Sequence, residues 1–189
     1  MSEDAGDGHL SLVRFDALSE TTCRALAASG WSPGRAVDVD RWVGPLEGEG
    51  YRVHPMAEEA LRRLGGLSIE PVNRAGPNFM NDEPYSFDPF GAGLGQRALA
   101  TELESVLGGR YFPIGEWLSH SSVFVESRGR VVAAGMGWIW ELGSSVEESL
   151  ELAVTADRPL PCLYSDPGLG PWPTGAGAEG AGQSEERAR

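Results

Sequence analysis

Apolar residues in the first third of the chain recur at helical spacing. Beyond Ser19, residues Cys23, Ala25, Leu26 and Ala28 fill one short helix. Ser19 is a good N-cap, Leu18 and Cys23 stand at the N′ and N4 staple positions, and Gly30 suits the left-handed C′ position. A second helix is predicted from Asp40, as its cap, to Leu46. Pro45 is expected to shorten, kink or delay it, because its ring meets a carbonyl one turn back. Pro55 is placed to begin a third helix, in which Ala57, Ala60, Leu61 and Leu64 form the apolar stripe. "LGGL" at 64–67 stops that helix and leads into a strand over 67–70.

The period then changes. Residues 71–84, "PVNRAGPNFMNDEP", are loop by composition, with a short strand over 85–87 behind them. A further helix spans 96–107. Strands are predicted over 111–118, 121–127, 130–135 and 137–142, with Ser127, Arg128 and Gly129 as a hairpin turn. Ser144 and Ser145 before Glu147 and Glu148 form a capping box for a last helix ending near Thr155. Residues 1–14 are expected to be a flexible end and 15–156 one domain. The Pro/Gly-rich stretch 157–189 lacks periodicity and is expected to be disordered or loosely packed. Helices, strand, helix, antiparallel strands, helix is an α+β order.

"SGWSPGRAVDVDRW", residues 29–42, fits neither a core helix nor a plain linker. It reads first as a clasp. Trp31 packs over the first helix, Trp42 lies on the inner face of the second, and Arg35 pairs with Asp38 or with the carbonyl end of the first helix. The alternative is an exposed Trp or Arg serving as a binding hot spot.

Composition narrows the functional classes. The chain has 189 residues, with 41% hydrophobic and 23% charged, which suits one domain with a real core. All 15 basic residues are Arg, which with heavy Ala and Gly use suggests a high-GC bacterial genome. A formal net charge of −13 argues against nucleic acid as a ligand and suits a basic protein partner, or simple solubility. No apolar run is long enough to cross a membrane, and the acidic start resembles no secretory signal. A cytoplasmic location is expected. Cys23 and Cys162 form no CxxC or Cys/His cluster and are expected to be free thiols.

Candidate chemistry is thin. His9, His54 and His120 share no metal-ligand spacing, so no metal site is expected. His120 lies among serines, but there is no G-x-S-x-G to present a nucleophile. "GAGLGQ" at 91–96 has Gln96 where a dinucleotide fingerprint needs glycine. Paired acids such as Glu102/Glu104 and Glu147/Glu148 read as solvated helix faces. The better candidates for binding a partner are Glu116, Trp117, Glu126, Trp138, Trp140 and Glu141, which join aromatics to acids on the late strands. Alternation puts Trp138 and Trp140 on one face, as core or as binding surface. Residues 101–156 hold eight acids against three arginines, an excess that can steer a basic partner.

The order of landmarks carries a resemblance over about residues 15–155. A helix ends in "SGW", followed by "SPGR", a helix opened by an aspartate, "EGY", and "HP" before a helix ending "LGGL". Then come "FDP", a helix ending in "LGGRYFPIGE", the hairpin "ESRGRV" and "LGSSVEESLEL". Together they resemble the third subgroup of SUKH-superfamily immunity proteins. The resemblance implies an α+β fold with a mostly antiparallel central sheet flanked by helices. It also implies a non-enzymatic protein that binds and neutralises a polymorphic toxin domain, a nuclease or nucleic-acid deaminase, without a cofactor. The alternative reading is an intracellular scaffold or regulatory binding module with no toxin partner. Pro45 and the aromatic "GMGWIW" depart from the family's usual pattern.

Overall fold

A computed structural model describes residues 12–118 and 120–174. Among them six α-helices flank a seven-stranded antiparallel sheet, the α+β architecture that the order of elements predicts. The helices are α1 (Glu20–Ala28), α2 (Asp40–Gly48), α3 (Pro55–Leu64), α4 (Pro89–Gly93), α5 (Arg97–Leu107) and α6 (Val146–Thr155). The strands are β1 (Ser68–Ile69), β2 (Tyr85–Ser86), β3 (Tyr111–Trp117), β4 (Ser121–Glu126), β5 (Val131–Gly135), β6 (Trp138–Gly143) and β7 (Cys162–Ser165). They lie in the sheet in chain order, so each strand pairs with its neighbour in sequence. Every residue of β4 is buried, because both faces of this central strand are covered.

Local chemistry accounts for the helix ends. The Ser19 hydroxyl accepts the Thr22 amide, and the Ser145 hydroxyl accepts the Glu148 amide. Pro55 is the first residue of α3, as predicted, and His54 is its cap: Nδ1 accepts the Ala57 amide at 3.2 Å. Two details of α2 differ from expectation. Its cap residue is Val39, and Asp38 takes the Asp40 amide at 3.0 Å, so Asp40 lies inside the helix. The helix also runs through Pro45 to Gly48, nine residues in all. α4 is a helix that the apolar pattern does not predict. Asp88 accepts the Phe90 amide and Pro89 follows at the first helical position, a start signal legible in "DPF".

The 29–42 stretch is a clasp, on a different helix from the one expected. Arg35 donates to the Gly65 carbonyl at 2.7 Å, at the end of α3 rather than of α1. Arg63 donates back to the Pro33 carbonyl, and the Val37 amide donates to the Arg62 carbonyl at 2.9 Å. Trp42 is buried, as expected, with the Arg41 guanidinium 3.9 Å over its ring. Trp31 packs against Phe15 at 4.7 Å.

Both ends of the described chain are tied in where composition suggested loose chain. Val13 is buried, and Glu147 of α6 accepts the Arg14 amide. Glu151 accepts from the Ser19 amide, the Ser19 hydroxyl and the Thr22 hydroxyl, so α6 holds the start of α1. After α6, residues 157–174 run as a strap along β6 and supply β7. Leu160 is buried there, and Asn78 fixes its backbone, accepting the Leu160 amide at 2.9 Å and donating to its carbonyl at 3.3 Å. The composition that suggested disorder conceals four strand-forming residues and two anchors, Leu160 and Trp172. Residues 1–11 and 175–189 lie outside the described residues.

His54 gives stability a pH dependence. Burial among apolar neighbours pushes its pKa below the usual histidine value, and its Nε2 meets the Val125 carbonyl at 3.3 Å. The unfolded chain takes up this proton near pH 6.5 and the folded chain resists it, so stability falls as pH drops below about 6.5. This group alone contributes a slope of at most about 1.4 kcal/mol per pH unit. In denaturant titrations between pH 8 and 5, His54→Asn keeps a capping oxygen and is expected to remove this part of the slope.

Candidate partner-binding surface

The strand register groups the side chains. Trp117, Ser121, Gly135 and Trp138 stand opposite one another in turn across β3, β4, β5 and β6. One pleat further in, Val123, Ala133 and Trp140 make the next row on the same face. The first of these rows lies at the end of the sheet, flanking the connections from Trp117 to Ser121 and from Gly135 to Trp138, and the strap crosses beside it.

Six side chains were the candidates, and the structure separates them. Trp117 is 1% exposed and packs on Phe79 and Tyr85 at 5.7 and 6.4 Å, so it is core. Glu126 is 5% exposed. Burial would raise its pKa, but the Ser127 hydroxyl, the Arg128 amide and the Arg128 guanidinium outweigh it and hold the carboxyl below its ordinary value. It ties the 126–130 turn and offers no surface to a partner. Glu141 is half-buried and pairs with Arg130 at 3.3 Å. That pair lines a polar groove of about 340 Å³ with Arg128, Glu126, Tyr111 and Ser144, where charge is balanced. Glu116 lies on the other face under α4, half-buried; a Cβ on Gly91 would come 2.8 Å from its Oε2. Its carboxylate makes no hydrogen bond or ion pair among the described residues.

The excess of acids in 101–156 is therefore largely spent inside the fold. Glu104 pairs with Arg97 at 2.9 Å, Glu147 and Glu151 hold the 14–22 segment, and Glu148 accepts from Ser144 twice, which lowers its pKa. Glu126→Gln is expected to cost about 1–2 kcal/mol in a denaturation midpoint, because charge-assisted bonds at the turn weaken, with partner affinity unchanged.

Trp138 and Trp140 do come together. Their rings stack at 6.2 Å, and Trp172 of the strap meets them at 6.0 and 5.7 Å. Trp138 Nε1 donates to the Gly170 carbonyl at 2.9 Å and Trp140 Nε1 to the Trp172 carbonyl. Trp140 is buried and Trp138 half-buried, so the exposed members of this group are others. Met136 is 61% exposed, Trp172 45%, and Leu169 40%. Sequence reasoning missed all three: Trp172 and Leu169 because the tail was read as disordered, Met136 because hairpin tips are usually polar.

The turn geometry gives Met136 weight. It occupies the two-residue connection between Gly135 and Trp138 with φ +53°, and Gly137 follows at +86°. Two positive φ values make a type I′ turn, which normally takes Asn, Asp or Gly first. Leu118 (+43°) and His120 (+56°) are left-handed in the adjacent turn. Strained non-glycine residues gather where a side chain is needed at a fixed place. The surface is thus an apolar, aromatic patch on one end of the sheet, held by rigid strands and the strap.

A family model described as SUKH-3 immunity protein matches residues 18–155. The chain belongs to that family. Membership places it in toxin immunity, among proteins that generally act as non-enzymatic binders, and implies a cognate toxin partner. Neither a search of curated proteins nor one of solved structures returns a match. The SUKH-3 match ends at the last turn of α6, so the strap, with Leu169 and Trp172, lies beyond it. Among the described residues no three His, Cys, Asp or Glu side chains gather to hold a metal ion, and no helix is long and apolar enough to cross a membrane.

Proposed function

We propose that this SUKH-3 protein neutralises its toxin by covering it, with the Met136, Leu169 and Trp172 patch as the contact. The observation that carries the reading is the pairing of exposure with rigidity. Trp172 and Met136 are large side chains of the kind found at the centre of interfaces; the Trp172 carbonyl is held by Trp140 Nε1, and Met136 sits in the tight turn between the paired Gly135 and Trp138. The net charge of −13 supports a basic partner, a nuclease or nucleic-acid deaminase domain, drawn in by long-range attraction. On this reading the charge sets the association rate and the patch sets the lifetime of the complex. Glu116 and Glu141 then act through charge alone and not as anchors.

The test is to mix the purified chain with the toxin domain encoded beside its gene. One-to-one co-elution, with toxin activity falling in step with occupancy, is expected. Raised salt should slow association far more than it speeds dissociation. No complex with the neighbouring toxin would overturn the reading.

A further inference from the structure

The turn that leaves β7 is written into its residues. Asp166, Pro167, Gly168 and Leu169 follow the type II pattern. Pro167 presets the first corner, Gly168 takes φ +96° at the second, and the Leu169 amide donates to the Asp166 carbonyl at 2.9 Å. The Asp166 amide donates to the Gly137 carbonyl at 2.8 Å, and the Ser165 hydroxyl to the Leu169 carbonyl at 3.1 Å. Beyond the turn, Trp138 Nε1 holds the Gly170 carbonyl, Trp140 Nε1 holds the Trp172 carbonyl, and Pro173 is buried. Every residue from Pro167 to Trp172 is nevertheless exposed. Among the described residues, the hydrogen bonds that hold this loop all end on its main chain, which leaves its side chains outward. Leu169 and Trp172 are not in the left-handed region, so many side chains fit there; Met136 has φ +53° and is confined. A Cβ on Gly137 would come 2.8 Å from Leu169 Cδ1, so the loop lies against the Met136–Gly137 turn and shares one surface with it.

We propose that the Pro167–Trp172 loop selects the toxin: its side chains decide which toxin is bound, while the rest of the chain supplies the scaffold and the charge. The proposal rests on the reading of function above and divides the patch. Met136 lies inside the SUKH-3 match, and the loop lies beyond its end at residue 155. A surface that picks one partner needs side chains that can change without disturbing the core. A fixed main chain with outward side chains, outside the part of the fold that the family shares, meets that need. The loop carries no charge, so the toxin surface it reads is apolar. Its effect therefore falls on dissociation and on the choice between partners, and the attraction that speeds encounter comes from elsewhere in the chain.

Three readouts on the full chain test it. In the free protein the Leu169 amide is expected to exchange its hydrogen at least about tenfold more slowly than in an unstructured peptide. Equal rates would mean that the loop is not preformed and would overturn the proposal. With the purified cognate toxin domain, Leu169→Ala and Pro171→Ala are each expected to speed dissociation by about fivefold or more, with the association rate and its salt dependence unchanged. Val72→Ala and Met80→Ala are the controls: both residues are apolar, more exposed than Leu169, and inside the family match. Each is expected to change dissociation by less than about twofold. Equal effects in loop and control variants contradict the proposal. Last, a library randomised at residues 167, 169, 171 and 172 is expected to yield folded chains that bind a second basic toxin domain, one the parent does not bind, and that no longer bind the first. A library of the same size at Val72, Met80, Leu94 and Val106 should yield none. Binders from the control library, or none from the loop library, overturn the proposal. A parent chain that binds no toxin sinks the functional reading itself; a parent that binds, with loop variants unchanged in affinity and choice, sinks only the loop.

Discussion

Met136→Asn combined with Trp172→Ala is expected to leave a folded protein that binds its toxin about 100-fold more weakly. An exposed Trp at the centre of an apolar patch is worth about 2–4 kcal/mol on truncation, and about 2.7 kcal/mol is a factor of 100. Trp172 is 45% exposed, so much of its ring is free for a partner and its loss need not unfold the sheet. Met136 acts in two directions. Asn tolerates the left-handed position better than Met, so the single change should raise stability by about 0.5–1 kcal/mol while weakening binding. A stabilising change that costs affinity is the mark of a residue kept for contact rather than for folding. Titration calorimetry and thermal melts on both single variants and the double variant separate the two effects. Unchanged affinity in the double variant would remove the patch from the interface.

Removing residues 157–189 is expected to damage the fold and make the remainder self-associate. The strap covers the edge of β6 through the pairs Trp138↔Ser165, Ile139↔Tyr164 and Trp140↔Cys162. Pro161 and Pro167 bracket β7, so the outer edge is short and blunted. Without the strap, β6 becomes a bare edge beside two stacked indoles whose N–H groups have lost their carbonyls. Burial of Leu160 alone is worth about 2 kcal/mol. A midpoint lower by about 5–10 °C is expected for a chain of this size. Gel filtration should show dimers or larger species through edge-to-edge pairing. A monomeric truncated chain with unchanged melting would mean that the strap is ornamental.

The fold was largely legible because its signals are local. Ser19, His54 before Pro55, and the Ser145–Glu148 box each declare a helix start through a bond made within four residues. The hairpin at Ser127–Gly129 is marked by its own turn residues, and the unbroken apolar run 131–134 is what a strand covered on both faces needs. What local patterning cannot carry is long-range pairing. Arg35 had two equally reasonable acceptors nearby, and its carbonyl belongs to Gly65, thirty residues on. Acids that read as a solvated patch are partners of distant backbone, as Glu151 is for Ser19, 132 residues away. The strap escaped because β7 is only four residues long and its stabilising contacts are with Asn78, Trp138 and Trp140. The same gap hid the candidate surface: Trp138 and Trp140 were visible in sequence, but the side chains that cover them were not.

The most direct measurement of the central claim is growth of cells that produce the cognate toxin. The account predicts survival when this chain is co-produced in at least equal amount, death when the Met136→Asn/Trp172→Ala chain replaces it, and recovery of the toxin chemically intact from the surviving cells. Equal protection by both chains, or a toxin recovered cleaved or modified, would contradict it.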